Sequence, residues 1–148
     1  MLRPTKILVP TDFSDYSDKA LKQALDIAKQ YNAKVFLFHA ISTEVRRCMG
    51  DICLGDDMLH NIENQIKSRA QEDLQKQVDK FPQSKEVSVT MDIGNGNPYE
   101  AILKEADDKG IDLIVIASLG RSGIARFLVG SVARNVLKGA KCPVLLTK

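Results

Sequence analysis

Ile111-Asp-Leu-Ile-Val-Ile-Ala-Ser-Leu-Gly120-Arg-Ser-Gly-Ile-Ala-Arg-Phe-Leu-Val-Gly130-Ser-Val-Ala-Arg-Asn-Val136 is the stretch on which the fold turns. It begins with an unbroken apolar run, Leu113 to Ala117, rich in β-branched residues, the pattern of a strand covered on both faces. A glycine-rich loop over 117–123 follows. A second pair, Gly130-Ser131, then opens a short helical pattern with Val132, Ala133, Val136 and Leu137 on one side. Strand, flexible loop and helix start in that order describe an anion cradle. Glycines let backbone N–H groups approach an anion, and the first turn of a helix leaves its donors unpaired with a partial positive charge. Ser131 adds a hydroxyl. The same spacing admits glycines that only turn the chain and a Ser131 that only caps its helix, and the two readings stand side by side.

Upstream, Lys6-Ile-Leu-Val-Pro10 reads as a first strand closed by proline, which has no N–H for a sheet ladder. Asp12 follows in a polar loop, where it serves either as a helix cap or as a ligand group beyond a strand's carboxyl end. Ser14 and Ser17 read as caps. Ala20, Leu21, Ala24, Ile27, Ala28 and Tyr31 then recur at helical spacing up to Asn32. Val35 to Ile41 is a second buried strand, and His39 near its end reads as a structural histidine, with no nucleophile motif nearby to need it. Residues 42–61 lose periodicity and read as a long connecting loop. Cys48 and Cys53 there, near Asp51, Asp56, Asp57 and His60, have a spacing poorly suited to a metal site, and a structural role is the preferred reading. Leu59 to Phe81 is an amphipathic helix ending before Pro82. Val87, Val89, Met91 and Ile93 alternate as an edge strand. A turn over 94–98 places Pro98 at the start of a third helix that Gly110 ends. Its Gly-x-Gly lacks the third glycine of a dinucleotide loop. Downstream, Cys142 to Thr147 is a fifth short strand, with Cys142 a small core residue.

Five strands separated by four helical segments indicate an open α/β sheet with helices on both faces. Ligands of such sheets bind beyond the carboxyl ends of the strands, where the winding reverses. If the first and fourth strands are neighbours, Thr11-Asp12 and the loop from Ala117 to Ser131 face one crevice; periodicity alone does not give the strand order. A chain of 148 residues is long enough for one domain with a full core. Acidic and basic residues nearly cancel at net +2 and aromatics are few, so neither a basic stripe nor a stacking platform points to nucleic acid. No apolar run has the length of a membrane span or signal sequence, so the expected location is the cytoplasm, with three reduced cysteines.

Lys6-Ile-Leu-Val-Pro-Thr-Asp-Phe-Ser14, His39-Ala40, Gly96-x-Pro98-x-Glu100-x-Ile102, Asp112-Leu-Ile-Val-Ile116, Gly120-Arg-Ser-Gly123 leading into Gly130-Ser131, and Cys142-Pro143-Val144 together resemble the universal stress protein family over essentially the whole chain. The resemblance implies one domain over residues 1–148, with an adenine nucleotide alpha hydrolase-like fold: a five-stranded parallel sheet of order 3-2-1-4-5. It also implies a homodimer, often formed through the last strands. Some members bind ATP and others do not. The ATP-binding members share the pattern Gly, two residues, Gly, nine residues, Gly, then Ser or Thr. Gly120 and Gly130-Ser131 match it, and Ala117 replaces its first glycine. Alanine there would cost about 1–2 kcal/mol if the backbone must be left-handed, and nothing if only a small side chain is needed. Carried over, the resemblance sets adenine against the backbone around Ala40 and near Pro10, and ribose near Asp12 and the residues after the fourth strand, with Thr11 and Ala117 also among the cofactor-binding residues. The phosphates, with or without Mg2+, lie against Gly120, Arg121, Gly130, Ser131 and the amide of Val132.

The function implied is a stress-associated, homodimeric protein that binds ATP or AMP and acts as a sensor or regulator on a protein partner. Catalysis is at most slow ATP hydrolysis, because the chain lacks a Gly-Lys-Ser/Thr phosphate loop, a positioned general base and a nucleophile elbow. The alternative is a nucleotide-free dimeric interaction protein using the 42–61 segment as its partner surface. Ala117 and Leu119 favour it; Gly120, Gly130 and Ser131 oppose it. An ATP-pyrophosphatase is a distant third, since Pro10-Thr-Asp-Phe-Ser14 stands where that chemistry has a Ser-Gly-Gly-x-Asp-Ser loop.

Overall fold

The computed structural model describes residues 1–44, 47, 55–120 and 129–148. The strands are β1 (Lys6–Pro10), β2 (Lys34–Ile41), β3 (Val89–Asn95), β4 (Leu113–Ala117) and β5 (Val144–Thr147). The helices are α1 (Asp15–Tyr31), α2 (Asp56–Asp79), α3 (Pro98–Lys109) and α4 (Ser131–Gly139), with a 3-10 turn at Pro82–Glu86. Every strand pairing is parallel and the order is β3-β2-β1-β4-β5, as the family resemblance implies. Arg121, Cys48, Cys53 and most of the segment between β2 and α2 lie outside the described residues.

The period-2 alternation of β1 divides the core. Ile7 and Val9 pack with Ala20, Leu21, Ala24 and Leu25 of α1 and with Leu74 and Val78 of α2. Leu8 packs on the other face with Phe38, Ile102, Ile114 and Val136, beneath α3 and α4. Each such aliphatic side chain contributes about 1.5–3 kcal/mol on full burial. β4 is buried along its whole length, which explains its uninterrupted apolar run.

Local chemistry sets the helix ends. Ser14 caps α1 by accepting from the Ser17 amide, and Asn32 ends it in the left-handed region. Asn97 caps α3 ahead of Pro98, and Gly110 ends it at φ 63°. Ser17, expected as a cap, is instead buried inside the first turn of α1. Leu137, expected on the inner side of α4, is 41% exposed. β3 begins at Val89 because Pro82 opens the 3-10 turn, leaving Val87 to pack on the core outside the ladder. It then runs to Asn95, past the expected turn. Gly94 lies within it because the Phe38 ring comes to 2.6 Å of where a Cβ would stand. β5 begins at Val144, after Pro143, whose carbonyl accepts from the Ile114 amide. Among the described residues, no helix is long and apolar enough to cross a membrane.

Two carboxylates hold places of opposite character. Asp112 accepts from the Thr5 amide and hydroxyl and from the Lys6 amide, at 2.6–3.1 Å. Burial alone would raise its carboxyl, but these hydrogen bonds outweigh burial and hold it below its ordinary value. Glu105 of α3 faces Asp92 of β3, and Glu105 Oε1 and Asp92 Oδ2 are both shielded from solvent without a donor. Lys109 Nζ stands 3.7 Å from Asp92. Burial first, then interaction with the neighbouring Asp92 carboxylate and its negative charge, push Glu105 up to about 7.

The sign of the resulting pH dependence follows. The folded chain keeps a proton on Glu105 that the unfolded chain releases near its ordinary 4.5, so the stabilisation is complete below that pH and is lost as pH rises through about 7. Glu105→Gln keeps a donor for Asp92 at every pH. In thermal melts it should exceed wild type by about 2–4 °C at pH 8, with the gap closing at pH 5; parallel curves across that range would contradict a raised Glu105.

Candidate functional site

Hydrogen bonding determines where the sheet opens. β1 is in register with β4 only over Ile7 with Leu113 and Leu8 with Ile114, and with β2 only as far as Pro10 with Phe38. Beyond those pairs the carboxyl ends of β1 and β4 part. The winding reverses at the same place, since α1 and α2 cover one face and α3 and α4 the other. The result is a crevice of about 240 Å3. Pro10, Thr11 and Asp12 enter it from β1, Phe38, His39 and Ala40 from β2, and Pro98 and Ile102 from α3. Ile116 to Gly120 enter from β4, and Gly130 to Ala133 from the start of α4. Of the residues singled out in the sequence, Pro10, Thr11, Asp12, Ala40, Ala117, Gly120, Gly130, Ser131 and Val132 therefore reach one crevice; Arg121 is outside the described residues.

The loop after β1 is held in an uncommon conformation. Phe13 has φ 64°, a left-handed backbone that costs a bulky residue about 1–2 kcal/mol. Three hydrogen bonds hold it there. The Phe13 amide donates to Thr11 Oγ1 at 3.0 Å, the Ser14 amide donates to Asp12 Oδ1 at 3.0 Å, and His39 Nδ1 donates to the Thr11 carbonyl at 2.8 Å. The Phe13 and His39 rings lie 4.4 Å apart, tilted by 36°. His39 is thus a structural clamp with its tautomer fixed by a carbonyl. Asp12 caps the loop with one oxygen and turns the other towards β4, 2.8 Å from where a Cβ on Gly120 would stand. Asp12 is thus not the helix cap, a place Ser14 takes; it braces the loop ahead of the helix and lines the crevice.

Gly120 and Gly130 provide room rather than unusual backbone angles, since the glycines with positive φ among the described residues are Gly96 and Gly110. A Cβ on Gly130 would meet the Ser118 carbonyl at 3.2 Å, and the Gly130 amide already donates to that oxygen at 2.7 Å. Gly130 is the N-cap of α4 and offers no side-chain acceptor; Ser131 is the first helical residue and is exposed. The reading in which Ser131 caps its own helix therefore fails. The amides of the first turn face the crevice without a capping oxygen, so the cradle is open to an anion. Ala117 ends β4 opposite Thr147 in extended backbone, where alanine carries no left-handed penalty.

The apolar walls were not singled out in the sequence. Phe38, Pro98, Ile102 and Ile116 come from three elements, and Pro98 signalled only a helix start. Ser118 is a hinge point as well: its amide donates to Thr147 and its carbonyl accepts from Gly130. Among the described residues, no group of three or more His, Cys, Asp or Glu side chains is arranged to hold a metal.

These features define an open, doubly wound α/β protein with an anion-accepting crevice at its switch point. A sequence model of the Universal stress protein family matches residues 4–148, and the chain belongs to that family. The universal stress protein MJ0531 of Methanocaldococcus jannaschii is 38% identical over 143 residues, spanning 97% of this chain and 81% of that protein. The solved structure of MJ0577 superposes with a TM-score of 0.84 at 28% identity, over 99% of this chain and 97% of that one. A universal stress protein solved in complex with cAMP superposes with a TM-score of 0.68 at 25% identity, over 99% and 98% of the two chains.

If Ala117 sits in unstrained strand backbone, glycine there brings no relief. Ala117→Gly should lower stability by about 0.5–1 kcal/mol in urea unfolding. Gly130→Val, forced against the Ser118 carbonyl, should cost about 1–3 kcal/mol. A stabilised Ala117→Gly would show that the backbone there favours glycine.

Proposed function

We propose that the protein is a stress-associated adenine-nucleotide-binding regulator that acts through occupancy of its crevice rather than through turnover. One observation carries this: the uncapped start of α4, the apolar walls and the Asp12 carboxylate converge on a single crevice, matching the three parts of a nucleotide. The base lies against Pro10, Ala40 and the apolar walls. Thr11 and Asp12 meet the ribose. The phosphates take the amides and hydroxyl at Gly120, Gly130, Ser131 and Val132, with Arg121 supplying charge. Mg2+, where ATP is the ligand, would offset phosphate charge beside Asp12. The cAMP complex of a relative at 25% identity supports an adenine nucleotide as the ligand class.

The same reading makes the whole chain one domain working in the cytoplasm as a homodimer through β5, relaying occupancy to a protein partner. Leu145 of β5 and Leu137 of α4, 37% and 41% exposed, supply apolar surface to such a dimer. Hydrolysis is not part of the proposal: of the described titratable groups in the crevice, Asp12 accepts the Ser14 amide and His39 is engaged with the Thr11 carbonyl.

Calorimetric titration with ATP and with AMP, in the presence of Mg2+, tests the reading directly. Micromolar binding of at least one is expected. Gly120→Ala should weaken it by about tenfold, by pushing Asp12 out of place, while changing stability by less than about 1 kcal/mol. No heat with either nucleotide would instead support the nucleotide-free interaction protein.

A further inference from the structure

We propose that Gln77 of α2 is a positioning residue for the crevice, fixing through Thr11 the loop that carries Asp12. Gln77 is only 2% exposed on a helix that otherwise buries Ala70, Leu74 and Val78. A buried amide lowers stability unless its donors and acceptor all find partners. Here they do. Gln77 Oε1 accepts from the Thr11 hydroxyl at 2.8 Å. Gln77 Nε2 donates to Asp18 Oδ1 at 2.9 Å and lies 3.4 Å from Ser17 Oγ.

The bonds have one consistent direction. Thr11 has a single hydroxyl proton and gives it to Gln77, which leaves its oxygen free to accept the Phe13 amide. Ser17 gives its proton to the Ser14 carbonyl at 2.8 Å. Asp18 accepts from Gln77 with one oxygen and pairs with Lys80 at 2.7 Å with the other. Reversing the amide would set its oxygen against the Asp18 carboxylate, two acceptors at hydrogen-bond distance, so the orientation is determined. The chain of bonds runs from Lys80, at the far end of α2, to the strained amide of Phe13. Gln77 does not itself line the crevice; it acts on Asp12 from behind, by holding Thr11 and Phe13 in place.

An apolar residue of similar volume would fill the same space and leave the Thr11 hydroxyl with the weaker choice of Ser17, at 3.0 Å. The loop would then lose the acceptor that orients Thr11. The ligand half of this inference rests on the nucleotide reading above; the loop-ordering half does not.

The test compares wild type with Gln77→Leu, Thr11→Val, the double variant and Val78→Ala. Val78→Ala is a control that loosens the same helix and core without entering the network. ATP with Mg2+ is the probe, and amide hydrogen exchange at Phe13 and Ser14 is read in the ligand-free protein. Gln77→Leu should weaken ATP binding about tenfold. The double variant should be no more than about threefold weaker than the worse single one, because both act through one bond. Exchange at Phe13 and Ser14 should accelerate at least tenfold in Gln77→Leu and stay near wild type in Val78→Ala. Binding within twofold of wild type, unchanged exchange at those amides, or equal losses in Val78→Ala would each overturn the inference. If wild type itself binds no nucleotide, the nucleotide reading fails, and the exchange comparison alone still decides whether Gln77 orders the loop.

Discussion

Two register pairs, Ile7 with Leu113 and Leu8 with Ile114, join the two halves of the sheet, and the brevity of that ladder governs the molecule. At its amino end Asp112 binds the Thr5 and Lys6 amides and keeps the strands together. At its carboxyl end no further register pair joins β1 and β4, and the loops that follow the two strands flank the crevice. A longer ladder would close the crevice with main-chain hydrogen bonds. A shorter one would weaken the seam between the two hydrophobic cores. The site is thus a gap in a sheet otherwise paired strand to strand.

Around that gap the local conformations are over-determined. Phe13 holds an unfavourable backbone angle because Thr11, Asp12 and His39 each contribute to fixing the loop. Gly130 brings the start of α4 against Ser118 closely enough for a 2.7 Å hydrogen bond. Gly120 leaves space that the Asp12 carboxylate takes up. Strain on one side of the crevice and absent side chains on the other fix the shape of its described walls, the kind of preorganisation that lowers the ordering cost of binding.

Much of this was legible in the chain because its causes are local. The apolar runs of β1, β2 and β4, the caps Ser14 and Asn32, and the Pro98 to Gly110 limits of α3 depend on residues within a few positions of one another. Strand order is a long-range property; it came from resemblance to a family and not from periodicity. The meaning of Ser17 and Gln77 was hidden because they meet across 60 residues, and a glutamine on an amphipathic helix ordinarily reads as its solvated face. Gly94 looked like a turn because the Phe38 ring that requires it belongs to another strand. Ala117 stayed ambiguous in the sequence, since spacing cannot distinguish extended from left-handed backbone.

The carboxyl pair of Asp92 and Glu105 has a further consequence for the free margin of the sheet. β3 is seven residues long and, among the described residues, has a strand neighbour on one side only, so its other side is an edge of the kind a foreign strand could join. A charge turned inward along such a strand discourages intruders, because a chain that docks there must cover a carboxylate already short of donors. Asp92, with Lys109 3.7 Å away, is an inward acidic group of the kind that disfavours strand addition at an edge. The acidic pair that raises Glu105 thus also lies along a margin of the sheet, where inward charge works against unwanted strand pairing.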